Sequence, residues 1–208
     1  MVNKNSRPWR NNKLWSLAVA ETLSWACLFY VFPALLLRWK ESFGWSISQL
    51  SIGFTLALIT SAITGMFAGR IIDSGHSRKL MTFSVVIGAF LLALLPTVTV
   101  IWQFYLIWLL IGCTLAGCLY EPCFSYLTRT FQGDAKNSII MITLMAGFAS
   151  TISYLICTFV SELYSWEITI YLLSGILFLI SAPLFWYGTS IRLDITTDSG
   201  EKAASPVI

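Results

Sequence analysis

The stretch LMTFSVVIGAFLLALLPTVTVIWQFYLIWLLIGCTLAGCLY runs from Leu80 to Tyr120, 41 residues without one charged side chain. One crossing of a bilayer takes about 20 apolar residues in a helix. The stretch therefore holds one full crossing and most of a second, broken at Pro96-Thr97-Val98-Thr99. Working outward, the same emptiness recurs. Lys13 and Arg38 are separated by 24 residues whose only charge is Glu21, and Glu41 and Arg70 by 28 with none. Lys136 and Glu162 are separated by 25 uncharged residues, and Glu167 and Arg192 by 24. Six helices are predicted: Leu14–Leu37, Ser48–Ala68, Leu80–Leu95, Ile101–Thr128, Ser138–Val160 and Ile168–Tyr187. Helices are the expectation because a strand edge or open loop in lipid leaves backbone groups unpaired.

The composition agrees. Of 208 residues 57% are hydrophobic and 11% charged, with mean hydropathy +0.75; a soluble domain carries about 25% charged residues to wet its surface. A net charge of +3, with no continuous basic patch, excludes a nucleic-acid partner. The expected fold class is an all-α transmembrane six-helix bundle at 14–190, with a basic tail at 1–13 and a polar tail at 191–208. Residues Thr196–Ser205 of the latter read as disordered. The first apolar run is too long for a cleaved signal peptide, carries Glu21, and is followed by five more crossings, so it is read as a retained helix.

Lys and Arg orient the chain. Lys4, Arg7, Arg10, Lys13, Arg70, Arg78, Lys79, Arg129, Lys136, Arg192 and Lys202 fall on one side, and only Arg38 and Lys40 on the other. This asymmetry predicts both termini in the cytoplasm, and Trp residues near the segment ends read as an aromatic belt.

Periodicity divides the helices. The fourth carries Thr114, Glu121, Ser125 and Thr128, and the fifth Thr143, Ser150, Tyr154, Cys157 and Ser161, each at spacings that predict one polar stripe. The first offers a short patch of Glu21 and Ser24. The second has Ser61, Gly65 and Gly69, small residues that let helices approach. The third and sixth read as lipid-facing. A wet side formed by the first, fourth and fifth helices is thus expected. Glu21 and Glu121 each lie seven residues from the cytoplasmic ends of their predicted helices, so both are placed at one depth, roughly 10 Å in. A carboxylate there is costly unless it faces a cavity, finds a partner or takes up a proton. With no Lys or Arg in any predicted helix, both are candidate proton or cation sites. Pro122 frees the carbonyl of Cys118 and Pro33 that of Phe29, so a kink is predicted at each. The five cysteines share no metal-binding spacing and the one His is in a loop, so neither a metal nor a cofactor is expected. An intramembrane serine protease is disfavoured: Leu172-Leu173-Ser174-Gly175 lacks the nucleophile context, and His76 is outside the helices.

The connection Gly69-Arg70-Ile71-Ile72-Asp73-Ser74-Gly75-His76-Ser77-Arg78-Lys79 resembles the cytoplasmic signature loop of the major facilitator superfamily. Gly69, Asp73, Arg78 and Lys79 match in place. Ser74 and Ser77 stand where basic residues are usual, and the second Gly comes one position early as Gly75. Phe43-Gly44-Trp45-Ser46 looks like the short outer loop of the oxalate/formate and monocarboxylate-like branches. Leu119-Tyr120-Glu121-Pro122, with Phe124, and Ala146-Gly147-Phe148-Ala149-Ser150-Thr151 look like one bacterial branch. Trp108 stands four before Gly112, where the family's proton antiporters usually carry Arg, and the fifth helix lacks the Gly-Pro signature of drug antiporters. The resemblance implies an N-terminal six-helix half of a twelve-helix carrier in a bacterial cytoplasmic membrane. It would move a small solute by alternating access, with proton coupling a possibility, alongside a second half or another copy of itself. Substrate or proton sites would be Glu21, Glu121, Ser24, Ser125, Ser150 and Tyr154. The alternative is a non-transporting membrane subunit or an inactive remnant.

Overall fold

The computed structural model describes residues 11–131 and 134–190. Most of the two tails named above therefore lies outside the described residues. Among those described there is no strand, and six helical spans are long and apolar enough to cross a membrane: Asn12–Phe43, Ile47–Asp73, Ser77–Thr97, Ile101–Phe131, Ala135–Leu163 and Trp166–Gly188. Each is longer than its charge-free core, because amphipathic ends continue the helix past the bilayer edge. Local chemistry sets the boundaries. Gly44, at φ 69°, ends the first span in the left-handed conformation that costs glycine nothing. Ser46 then caps the second by accepting from the Gln49 N–H, while the Gln49 side chain accepts from the Ser46 N–H. Ser165 caps the sixth span through the Ile168 N–H.

Four spans are interrupted, and proline accounts for three of the interruptions. Ahead of Pro33, Trp25–Phe29 widens into a π-turn in which the Tyr30 N–H reaches the Trp25 carbonyl at 2.9 Å. Ahead of Pro183, which the sequence reading did not single out, Leu177–Ser181 does the same. Ahead of Pro122 the fourth span breaks at Leu119, whose ψ of −159° is extended. The fifth has a shallower break at Gly147–Phe148.

The most extensive interhelical packing joins the second and fourth spans. Gly112 makes it possible: a Cβ there would run into the Ala57 carbonyl oxygen and lie 2.8 Å from its Cα. Phe32, Trp39, Phe54, Phe104 and Trp108 fill the core towards the end of the bundle where Phe43 and Trp166 lie, with Phe32 and Trp108 centroids 4.8 Å apart at 88°. Trp108, standing where a cation was expected by family comparison, is thus a hub of this aromatic core. The first span packs on the sixth. Ser24 and Ser181 share a hydrogen bond of 3.0 Å, and Ser181 also donates to the Ala20 carbonyl. The sixth span is therefore not simply lipid-facing. The second and fifth spans are the least buried of the six.

Candidate functional site

The break at Leu119 re-aims everything after it. Pro122 has no N–H to close on the Cys118 carbonyl, so the helix stops at Cys118 and restarts at Tyr120. Thr114, before the break, is buried against the third span beside Gly88, and its hydroxyl bonds the Ile111 carbonyl. Glu121, after the break, is exposed. The single stripe expected from Thr114 to Thr128 is therefore two faces, because helical periodicity does not carry across the extended residue. The fifth span corrects the same expectation: Thr143 and Tyr154 are exposed and Ser150 half-buried, whereas Cys157 and Ser161 are buried. The intervening break at Gly147 again rotates the register.

Glu121 lies at the edge of a cavity of about 280 Å³ between the first, second and fourth spans. Trp25 and Phe29 form one wall, Leu58 and Ser61 the second, and Leu115, Ala116, Leu119 and Tyr120 the third. The carboxylate rests over Gly65: a Cβ there would sit 3.0 Å from Glu121 Oε2. Trp25 and Tyr120 meet with centroids 4.6 Å apart, Trp25 and Phe29 at 4.9 Å, and Phe124 stacks on Tyr120 at 4.9 Å. The wet side thus uses the second span, which the sequence reading gave only an intermediate role, and not the fifth. Ser125, Ser150 and Tyr154 do not line the cavity.

Glu21 points the other way. It is fully buried, neither carboxylate oxygen has a hydrogen-bond partner, and the Trp25 indole and Cys123 thiol lie beside it. Cys123 is two residues past Glu121 and therefore roughly 200° around the helix at nearly the same height. The two acids share a level but stand on opposite sides of the fourth span. Ser24, expected to face water with Glu21, instead bonds Ser181 inside the bundle. The first span's π-turn lies just beyond both residues, so no simple helical wheel relates them to the cavity-lining Phe29.

At the basic end, Asp73 pairs with Arg129 of the fourth span. The Arg129 guanidinium also donates to the Ile72 and Asp73 carbonyls, both at 3.2 Å, closing the C-terminus of the second span. The sequence reading placed Arg129 only as a topological charge. Arg78 lies 3.7 Å over the Trp186 ring of the sixth span. Of the two loop glycines it is Gly75, at φ 83°, that makes the turn; Gly69 is inside the second helix, with open space around it. The expected glycine-bounded turn therefore rests on Gly75 alone.

A family model described as Major Facilitator Superfamily matches residues 14–208. The chain belongs to the major facilitator superfamily. No curated protein and no solved structure matches it. Membership makes it an integral multi-pass membrane protein of a transporter family rather than an enzyme, and six apolar spans correspond to one half of the superfamily's fold. Within that fold the cavity beside Glu121 lies on a side of the bundle where the sparsely buried second span leaves the first and fourth accessible.

Proposed function

We propose that the chain is the solute-binding half of a secondary carrier that works by alternating access, completed by a second six-helix half or by another copy of itself. The observation that carries this reading is the cavity that sets Glu121 in reach of a solute while Glu21 is held, unpartnered, behind the same helix. A buried acid with no cation beside it is a site for a proton, and an accessible acid one level away is a site for solute or ion. The two stand on either side of a helix already broken at Leu119, so a rotation there would alter both together. Basic residues at one end support a cytoplasmic position for both termini, and the bilayer fits a bacterial inner membrane.

The test is uptake into proteoliposomes with an imposed proton gradient. Glu121→Gln should abolish uptake at every pH. Glu21→Gln should leave solute binding intact and remove the dependence on the gradient. Gradient-driven uptake unchanged in either variant removes that residue's role. A folded protein that moves no solute in any assembly would favour a non-transporting membrane subunit.

A further inference from the structure

The geometry points to an organic cation, an amine or quaternary ammonium carrying alkyl groups, as the solute that the Glu121 cavity takes. This rests on the carrier reading and names its substrate class. Three independent features of the walls agree in sign. Glu121 is the one charged residue in the lining, and no Lys, Arg or His accompanies it. Among the described residues neither ion pair uses Glu121, so its charge is not already spent on a neighbour. Trp25, Phe29 and Tyr120 present ring surface, and the negative face of an aromatic ring attracts a cation within about 6 Å of its centroid. Finally, the helical segment that ends at Cys118 brings its C-terminal turn, Leu115 to Leu119, to the cavity wall. A helix C-terminus carries about half a negative charge, undiminished here by the N–H that Pro122 lacks.

The same walls argue against the other classes. A carboxylate solute, which the oxalate/formate-like outer loop would suggest, meets a like charge and finds only the neutral donors of Trp25, Ser61 and Tyr120. A bare metal ion needs several oxygen ligands, and a hydrated one finds mostly hydrocarbon. About 280 Å³ accommodates a trimethylammonium head with a short chain, which ring faces and Leu58, Leu115 and Leu119 can cover.

Binding of labelled choline to the full chain in nanodiscs tests this, with its neutral carbon isostere 3,3-dimethylbutan-1-ol and with oxalate as competitors. Choline should bind saturably, at least roughly tenfold tighter than the isostere, and oxalate should not displace it. Glu121→Gln should weaken choline binding by about tenfold or more, while Glu121→Asp, which keeps the charge, should stay near wild type. Absence of choline binding, equal displacement by the isostere, or a Glu121→Gln protein that melts like wild type and binds choline normally would each overturn the assignment. The competitor comparison needs no variant and stands even if Glu121→Gln fails to fold. Proteoliposomes separate the two readings. Choline bound but not transported sinks the carrier and leaves the cation site; another solute transported without choline binding does the reverse.

Discussion

Replacing Gly112 with alanine puts the contact between the second and fourth spans under direct strain. The added Cβ would lie 2.8 Å from Ala57 Cα and 2.9 Å from its carbonyl carbon. Non-bonded carbons rest at about 3.5–4.0 Å. The obstacle is helical backbone, so no rotamer change relieves it and the helices must part by something near 1 Å. Overpacking of this kind costs about 1–3 kcal/mol. Alanine's better helix propensity returns up to about 1 kcal/mol, so a net loss of roughly 1–2 kcal/mol is expected. Gly53→Ala makes the informative comparison: its Cβ would come 2.8 Å from Phe104 Cε1, a ring edge that can shift. It should cost about half as much or less. Gly69→Ala meets nothing within 4 Å inside a helix and should be neutral or stabilising by up to about 1 kcal/mol. The assay is SDS-induced unfolding in mixed micelles followed by far-UV circular dichroism. Since Leu58, Ser61, Leu115 and Ala116 ride on the same two helices, Gly112→Ala should also weaken solute binding. A Gly112→Ala protein as stable as Gly69→Ala would refute the close approach.

Further outcomes follow from other contacts. Arg129→Ala removes two carbonyl hydrogen bonds as well as an exposed ion pair, and should cost about 1–2 kcal/mol in the same assay, whereas Asp73→Asn should cost about 0.5 kcal/mol or less. Equal losses would mean that the ion pair, rather than the helix closure, does the holding. Glu21→Met exchanges a buried, unpartnered carboxyl for an apolar chain of similar size and should raise stability by about 1 kcal/mol or more; a fall would reveal a partner for the acid. In a cysteine-free background, Ser61→Cys should react with a water-soluble maleimide, because the thiolate forms in a wet cavity. Phe90→Cys, at a position 65% exposed, should not react if the third span faces lipid there.

The spans were legible in the sequence because charge is expensive in lipid, and Lys79 and Glu121 bracket the long apolar run as plainly as any contact could. The site was legible only in part. Glu121 and Pro122 could be recognised as an intramembrane acid beside a kink. Which way the acid would face could not, since a wheel drawn through Thr114 and Glu121 assumes a continuous helix and Leu119 is extended. Ser24 misled for a related reason. Its neighbour is Ser181, 157 residues away, and a hydroxyl answered by another helix looks in sequence like one that faces water. Trp108 could be recorded as a departure from a family pattern, but its place in an aromatic core spanning the first, second and fourth spans depends on packing. Arg129 looked like one more positive-inside residue because nothing local ties it to Asp73.

The π-turn at Trp25–Phe29 fixes how the first span counts. A π-turn houses one residue more than an α-helix needs for the same advance, so the spare position acts as a spacer between two rigid lengths. Excising one residue there, Cys27 for instance, would let the helix run regularly and swing all that follows by about 100°. Phe32, Leu35 and Trp39 would leave the core as a block while Leu14 and Leu17 stayed on the sixth span. This stretch should therefore tolerate many changes of side chain but no change of length, and a scan of single-residue deletions along the first span would find its sharpest losses there.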